Sequence, residues 1–403
     1  MGGPVSWSAV AAHLLDRGGR VRARREERGA LSLLRHIDLV LVGATFAVAL
    51  IGVVMVYSAT RSVFPLEPTY YVKRQILYLV VGVALGVGCA VVDYRRLEEL
   101  GYVLYGAIVL SLVAVFAVGR SIGAGSGAAS SATTVREIPL GPFQFQPSEF
   151  GVLGVIVAIG LYVHRHEKEL TLKRLAAITG LAAVPMVLVF KQPDVGTTVI
   201  IAIVFAGLLV FAGVRARYLL GFALLAGGGI AALFGLHLLH GYELQRFSCF
   251  LHPNQNVSGA CYELNVVKEA IGAGGLHGTG LFKGAVTNLQ YVPEQYADFI
   301  FSAVGEQGGF IGGVVLLGLY ALMALRIFRA MQLARDTLGR MICGGALVFL
   351  VFSVFQNVGM NVGIMPITGI PLPFVSYGGS AMLAFFAMVG LVVNVEMRRL
   401  RGR

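Results

Sequence analysis

Two carboxylates lie in the first part of an apolar run within residues 291–309, which read YVPEQYADFIFSAVGEQGG. Asp298 lies where polar residues give way to the apolar FIF, and Glu306 lies further inside the run. A carboxylate at such a border is partly desolvated, which raises its pKa towards that of a general base. The same position also suits a structural carboxylate that interacts with the dipole at a helix N-terminus. Glu306 would lie roughly 12 Å deeper on one continuous helix, so we assign it a supporting or structural role.

Further charged side chains occur near the ends of the neighbouring apolar runs. They are Arg61, Lys73, Arg74, Glu149, Lys191, Asp194 and Glu294. Ionisable groups are costly within a membrane and therefore indicate function. Taken singly, Arg61 and Lys191 are also typical of basic residues whose side chains extend to the membrane interface. Asp194 is also typical of a helix cap. Together the set predicts a polar cleft that mixes carboxylates with cations.

Such a cleft suits two classes of membrane protein. In an enzyme that acts on an anionic lipid-linked substrate, cations hold the phosphates and a carboxylate removes a proton. In a transporter the same groups line a pathway, often with internal repeats and with polar groups near the midplane of the membrane. The charges here lie near one face of the membrane, which favours an enzyme whose site opens outward.

The elements that must position these residues are helices that cross a membrane. The chain has 403 residues, of which 57% are hydrophobic and only 13% are charged, against about 25% charged in soluble proteins. Its apolar runs approach the roughly 20 residues that cross a bilayer as a helix. We therefore predict an all-α polytopic membrane protein with ten transmembrane helices. The predicted spans are about 38–58, 76–92, 101–119, 148–163, 174–190, 196–214, 218–236, 298–325, 341–361 and 378–396.

The distribution of basic residues predicts the orientation of these spans. The chain carries 32 Lys and Arg residues and a formal net charge of +11. Most of them fall in the tails 1–37 and 397–403 and in alternate loops, whereas the longest loops hold few. By the positive-inside rule both tails are cytoplasmic, and the membrane domain covers 38–396. The positive charge thus indicates topology beside anionic lipid rather than nucleic-acid binding.

Three segments on the predicted outer side are more than simple connectors. Residues 120–146 begin with a stretch rich in Gly, Ala and Ser, and residues 237–297 form a large extracytoplasmic loop between spans seven and eight. That loop contains AIGAGGLHGTGLFKG, whose glycines suit re-entrant backbone. Residues 363–380 contain three prolines, so they cannot form a continuous helix. Long loops of this kind are usually functional.

Four motifs, in order along the chain, resemble those of the SEDS family of shape, elongation, division and sporulation proteins. They are QPSEF (146–150), KQPDVGTT (191–198), VPEQYADFIFSAVGEQGG (292–309) and GIPLPFVSYGGS (369–380). The resemblance implies a peptidoglycan glycosyltransferase that polymerises lipid II on the outer face of the bacterial cytoplasmic membrane. It also implies a class B penicillin-binding protein as the cross-linking partner.

Within the family, the last motif and VPEQ resemble the RodA branch more than the FtsW branch. This resemblance implies a role in cell elongation and rod shape. The alternatives are an FtsW-like division polymerase, a flippase for a lipid-linked peptidoglycan precursor, and a scaffold that only recruits a cross-linking enzyme.

The resemblance also assigns roles to residues. The essential aspartate of the family falls on Asp298, which we then expect to be the general base, and the glutamate of QPSE falls on Glu149. The expected substrate-binding residues are Arg61, Lys73, Arg74, Arg136, Gln146, Ser148, Glu149, Lys191, Asp194, Glu294, Ser376 and Tyr377. The family often has a lysine at the position of Val152 and an Arg-Trp pair near Arg136, and this chain has neither. The cationic role would then pass to other basic residues of the set, and participation of Mg²⁺ or Mn²⁺ stays open.

Two cysteines in the large outer loop are candidates for a disulfide. Cys249 and Cys261 lie in SCFLHPNQNVSGAC, where the turn-rich residues between them can bring them together. Disulfides form outside the cytoplasm, so we predict this pairing, with two free thiols as the alternative. Cys89 and Cys343 fall within predicted spans, where we expect them to be small buried apolar side chains.

Glycines at the start of span eight are candidates for contact with the partner. Gly308, Gly309, Gly312 and Gly313 lie in GGFIGGVVLLGLYALMAL. Small residues permit close approach of transmembrane helices, so spans eight and nine are predicted to dock the transmembrane helix of the partner. The same glycines suit packing between spans of the chain itself.

Overall fold

The computed structural model describes residues 37–62, 67–125, 138–140, 143–166, 171–235, 246, 248–250 and 260–399. Its helices are α1 (Leu39–Thr60), α2 (Tyr70–Val91), α3 (Leu97–Gly125), α4 (Pro147–Arg165), α5 (Leu172–Phe190), α6 (Val195–Phe211), α7 (Ala216–Gly235), α8 (Ala260–Gly274), α9 (Ala285–Leu289), α10 (Ile300–Leu333), α11 (Thr337–Val362) and α12 (Gly379–Met397). Two short strands, β1 (Ile138–Leu140) and β2 (Phe143–Phe145), precede α4.

Eight helical segments in the described part of the chain are long and apolar enough to cross a membrane. They are α1, α2, Tyr94–Val115, α4, α5, α10, α11 and α12. The apolar helix α6 is shorter, and α7 occupies the seventh predicted span. The predicted class, a helical polytopic membrane protein, is confirmed, whereas the count of ten spans stays a prediction.

Most helices begin and end within a few residues of the predicted spans, but two differ in ways that concern the site. Helix α2 begins at Tyr70 rather than at 76, because Lys73 and Arg74 continue the helix beyond the apolar run. Helix α10 begins at Ile300 and is interrupted at Gly309, where φ is 62° and ψ is −162°. The prediction of one continuous helix from 298 is therefore wrong.

The segment before α4 contains a β-hairpin that the sequence analysis did not predict. Strands β1 and β2 are antiparallel, with Ile138 opposite Phe145. Ser380, at the start of α12, accepts a hydrogen bond from the backbone nitrogen of Gln146 (2.8 Å) and donates one to the carbonyl of Gln144 (3.0 Å). The hairpin is thus tied to the N-terminal ends of α4 and α12. Arg136 lies outside the described residues.

Helices α4 and α12 are the most buried spans, and α2 packs closely on α12. A Cβ at Gly390 would overlap the backbone of Gly86, so only glycine permits this approach. About one turn further along both helices, Asn394 and Arg398 donate to carbonyl groups of residues 89–92. The last carbonyls of a helix lack partners within it, so side chains of α12 cap α2.

Candidate active site

Asp298 lies in a run of turns immediately before α10, not within the helix. Its backbone carbonyl accepts hydrogen bonds from the amides of Asn357 (2.9 Å) and Asn361 (3.4 Å), which are fully buried on α11. Its side chain is half-buried, and Oδ2 lies 3.2 Å from the point that a Cβ on Gly369 would occupy. The backbone of Asp298 is therefore held by α11 while its carboxylate lies against the loop 363–378.

The loop 363–378 fixes the same turn from the other side. The hydroxyl of Ser376 donates to the carbonyl of Ala297 (2.6 Å), and the backbone nitrogen of Tyr377 donates to the carbonyl of Tyr296 (2.9 Å). Gln75 of α2 in turn donates to the carbonyl of Ser376 (3.2 Å). Ser376, which was expected to bind substrate, is buried and bonded to backbone, so its contact in this structure is with the turn that carries Asp298.

Glu306 lies on α10 and is 1% exposed. Its carboxylate accepts hydrogen bonds from the backbone nitrogens of Val286 (2.8 Å) and Thr287 (3.0 Å) and from the hydroxyl of Thr287 (2.6 Å). Both residues lie in the short helix α9, whose first backbone N–H groups have no partners within the helix. Glu306 thus has the contacts of a structural carboxylate that anchors α9.

The glycine-rich stretch of the large loop enters the break in α10. The carbonyls of Glu306 and Gln307 accept hydrogen bonds from the backbone nitrogens of Thr279 (2.9 Å) and Gly280 (3.1 Å). Beyond Gly309, the nitrogen of Phe310 donates to the carbonyl of Gly275 (2.9 Å). Segment 275–280 therefore supplies the hydrogen bonds that the interrupted helix cannot make, which joins the loop to α10 on both sides of the break.

The predicted basic residues have different surroundings. Arg61 donates to the carbonyl of Phe282 and to Oδ1 of Asn288 (3.0 Å), so it supports the segment around α9. Arg74 lies 4.4 Å above the ring of Tyr70 and interacts electrostatically with Tyr377. Lys73 and Lys191 are exposed. Of these four residues, Arg74 is the one that the described contacts join to the loop beside Asp298.

Four other predicted residues meet at the N-terminal ends of α4 and α6. The carboxylate of Asp194 accepts from Ser148 Oγ (3.2 Å), from Gln146 Nε2 (3.4 Å) and from the backbone nitrogen of Thr197 (3.1 Å). Asp194 is thus the N-cap of α6. Glu149, which begins α4, is also buried. These residues form a second polar cluster at these two helix ends.

The backbone of residues 368–369 lies between the second cluster and Asp298. A Cβ at Gly196, in the first turn of α6, would lie 2.6 Å from the carbonyl of Thr368, and the next residue is Gly369, which contacts Asp298. Within the residues that the structure describes, no group of three or more His, Cys, Asp or Glu side chains could hold a metal ion. Participation of Mg²⁺ or Mn²⁺ therefore stays open.

Arg246 is a residue of this region that the sequence analysis did not assign to the site. Its Nη1 lies 3.8 Å from the same Cβ position on Gly369 that Asp298 approaches. Burial raises the pKa of the nearby Glu263, the positive charge of Arg246 opposes that rise, and the negative charge of Glu294 adds to it. The loop 237–297 contains only three Lys or Arg residues. Arg246 could therefore have been identified from the sequence as one of its few candidate cations for the site.

Cys249 and Cys261 form a disulfide with a Cα–Cα distance of 5.1 Å. Both are buried in a small apolar cluster that also contains Phe299, the residue after Asp298. The disulfide therefore connects the start of α8 to the region that carries the site.

We expect alkylation without reductant to leave Cys249 and Cys261 unlabelled in the denatured protein, and alkylation after reduction to label both. Closing a loop this short contributes roughly 3 kcal/mol in the chain-entropy model. Mass spectrometry of the peptides measures the labelling. Cys89 and Cys343, which are not bonded in disulfides, are the internal controls. Labelling of Cys249 and Cys261 without reductant would contradict the pairing.

The sequence profile of the FtsW/RodA/SpoVE family, described as cell cycle protein, matches residues 38–400. Peptidoglycan glycosyltransferase MrdB of Escherichia coli (strain K12) is 32% identical over 364 residues, which cover 90% of this chain and 94% of that protein. The activity in that name is the class that the motifs predict.

Two solved structures share the fold. A chain in a structure described as structural coordination of polymerization and crosslinking by a peptidoglycan synthase complex aligns with a TM-score of 0.74 at 27% identity, covering 91% of this chain and 99% of that one. The crystal structure of rod shape determining protein RodA from Thermus thermophilus aligns with a TM-score of 0.65 at 28% identity, covering 91% and 98%. Because profile, sequence and fold agree over nine-tenths of its length, the chain belongs to the FtsW/RodA/SpoVE family, which is the SEDS family that its motifs resemble.

Proposed function

We propose that this chain is a peptidoglycan glycosyltransferase that polymerises lipid II, with Asp298 as the general base. The observation that carries the proposal is the setting of Asp298. Its backbone is fixed by buried amides of α11 and by the loop 363–378, while its carboxylate is only half-buried and lies near the guanidinium of Arg246. A fixed carboxylate that a sugar can reach is what proton abstraction from a hydroxyl requires.

The proposed reaction is a displacement with inversion at the anomeric carbon of the donor sugar. Asp298 takes the proton of the acceptor hydroxyl as its oxygen forms the new bond to that carbon. The bond from the carbon to the lipid diphosphate breaks, and the diphosphate leaves with the electron pair. Arg74 and Arg246 are the cations beside this region, and positive charge stabilises the oxygens of the leaving group.

The orientation that we propose places both termini in the cytoplasm and the site on the outer face of the bacterial cytoplasmic membrane. The outer ends of α2, α4, α6 and α12 meet around the site through Gln75, Gln146, Ser148 and Asp194. The ion pairs Arg326–Asp38 (2.5 Å) and Arg398–Asp93 (3.2 Å) lie at the opposite ends of their helices. The proposed orientation puts these arginine-rich ends in the cytoplasm, which agrees with the positive-inside rule.

We propose that the product serves cell elongation and rod shape. The RodA-like form of the residues 369–380 and the structural likeness to RodA support this role. The family also includes FtsW, so a division polymerase is the alternative.

The purified protein, reconstituted with its partner and labelled lipid II, tests the activity. Glycan ladders on a gel are the expected result. Movement of labelled lipid between leaflets without any polymer would instead identify a flippase. Absence of both polymer and lipid movement, with the cross-linking enzyme still bound, would identify a scaffold.

We propose a class B penicillin-binding protein as the partner, with its transmembrane helix in an apolar groove between α10 and α11. The groove has a volume of about 340 Å³ and its wall includes Leu317, Ala321, Ala324, Val351, Phe355 and Val358. Two of the four glycines that the sequence offered for this contact are not on the protein surface. Gly309 and Gly313 are buried, and Gly313 packs against Phe301, so they lie inside the protein rather than on its surface.

Ala321→Trp is expected to reduce co-purification with the penicillin-binding protein at least tenfold, because Ala321 is exposed in the groove and the indole would fill it. Pull-down from detergent measures the effect. Ala223→Trp is the matched control, since Ala223 is exposed on α7. Equal recovery of the partner with both variants would remove the groove from consideration.

A further inference from the structure

Three tyrosines from distant parts of the sequence meet beside Asp298. Tyr71 comes from the start of α2, Tyr296 from the turn before α10, and Tyr377 from the loop 363–378. The ring centroids of Tyr71 lie 4.7 Å from Tyr296 and 5.0 Å from Tyr377, and those of Tyr296 and Tyr377 are 5.6 Å apart. All three side chains are half-buried. We call this set the tyrosine cluster.

The tyrosine cluster and Asp298 share the same backbone supports. Tyr296 is two residues before Asp298, and its carbonyl accepts from the nitrogen of Tyr377. The neighbouring Ser376 binds the carbonyl of Ala297. A displacement of the cluster would therefore displace the carboxylate, so rings and carboxylate keep one relative position.

The edges of the tyrosine cluster are polar. The hydroxyls of Tyr71 and Tyr296 lie 3.3 Å apart, and Tyr377 interacts electrostatically with the guanidinium of Arg74. Burial raises the pKa of Tyr296, and its hydrogen bond to Tyr71 raises that pKa further. Burial likewise raises the pKa of Tyr377. These phenols therefore stay protonated at neutral pH and can both donate and accept hydrogen bonds.

Tyrosines near the end of a transmembrane helix also occur as simple anchors at the membrane interface. That explanation accounts for Tyr70 and Tyr71 on α2. It does not account for Tyr296 and Tyr377, which lie outside the spanning helices and turn their rings towards Tyr71 at tilted and perpendicular angles of 42° and 82°. Aromatic faces with polar edges beside a guanidinium match a different ligand, a ring with apolar faces and hydroxyl edges.

We propose that the tyrosine cluster binds a pyranose ring of the lipid-linked saccharide and presents its hydroxyl to Asp298. The C–H face of the sugar packs on the aromatic rings, the phenols of Tyr296 and Tyr377 bond to its hydroxyls, and Arg74 attracts the anionic part of the substrate. This inference rests on the proposed function, because it makes the bound sugar the acceptor in that reaction. Tyr71, Tyr296 and Tyr377 are then binding residues that act on substrate affinity.

The test compares Tyr71→Leu, which removes the ring, with Tyr71→Phe, which keeps it. In polymerisation assays with lipid II, Tyr71→Leu is expected to raise KM at least fivefold with kcat changed less than threefold. Tyr71→Phe should stay within threefold of the parent in both constants. Tyr102→Leu is the control, since Tyr102 contacts Arg165 at the opposite end of the helices.

A binding measurement makes the outcome independent of catalysis. Labelled lipid II is titrated against Asp298→Asn and against Asp298→Asn carrying Tyr71→Leu, and the second is expected to bind at least fivefold more weakly. Thermal unfolding in detergent checks folding, and Tyr71→Met replaces Tyr71→Leu if the leucine variant unfolds early. Unchanged affinity and KM on loss of the ring would overturn the inference and leave the polymerase proposal intact. Lipid II binding that depends on Tyr71 without any polymer from the parent protein would support the cluster and overturn the polymerase.

Discussion

Asp298→Asn is expected to reduce the rate of lipid II polymerisation at least a hundredfold. The substitution preserves the shape of the side chain and a hydrogen-bond acceptor but removes the group that takes the proton, and a positioned general base contributes 10²–10⁴-fold. The hydrogen bonds from Asn357 and Asn361 go to the backbone carbonyl of Asp298, so folding and partner binding should persist. Glycan ladders from purified complexes measure the rate.

Glu269→Gln is the matched control for this prediction. Glu269 is an exposed carboxylate on α8 in the same large loop, and its loss should leave the rate within twofold. If Asp298→Asn still polymerises lipid II at more than about a tenth of the normal rate, the assignment of Asp298 as general base is wrong.

Gly309→Ala is expected to prevent assembly of the region around the site. The φ of 62° and ψ of −162° at Gly309 lie in a backbone region that is essentially restricted to glycine. A Cβ there would lie 2.8 Å from the carbonyl carbons of Leu276 and His277 and would overlap the nitrogen of Gly278. Strain of this kind costs on the order of 1–3 kcal/mol before any clash is counted, and the displaced segment would also lose its hydrogen bonds to α10.

The adjacent residue supplies the control for this second prediction. A Cβ at Gly308 would meet nothing within 4 Å, and alanine is the better helix former, so Gly308→Ala should unfold at the parent temperature. Thermal unfolding in detergent and the yield of monodisperse protein are the measurements, with polymerisation as the functional readout. An apparent Tm for Gly309→Ala within about 2 °C of the parent, where 1 kcal/mol shifts Tm by a few degrees, would refute the steric argument.

The helical spans and the position of Asp298 could be predicted because both depend on local composition. A helix must keep apolar residues over the thickness of the bilayer, so the run that became α4 predicted a helix at 148–163, and the structure has it at Pro147–Arg165. The charges that interrupt such runs mark where a helix reaches the interface. At Lys73 and Arg74 this signal was misleading, because the helix begins at Tyr70 and includes both charged residues.

The break in α10 could not be read from the sequence in the same way. Residues 298–325 are continuously apolar enough for one span, and Gly309 alone does not distinguish a flexible helical position from a break. The break exists because segment 275–280 supplies substitute hydrogen bonds to both sides of it. Those partners lie some thirty residues earlier in the chain, beyond any local pattern.

The sequence by itself therefore determined the membrane class, the family and the residue types from which the candidate site is built. The tertiary structure decided what each of those residues contacts. In the folded chain, Glu306 and Arg61 form hydrogen bonds with the segment around α9, and Ser376 forms one with the turn that carries Asp298. Arg246 and the tyrosine cluster also lie near this turn. The physical reason is that hydropathy and spacing constrain each segment separately, whereas buried hydrogen bonds and close glycine contacts form between segments far apart in the chain.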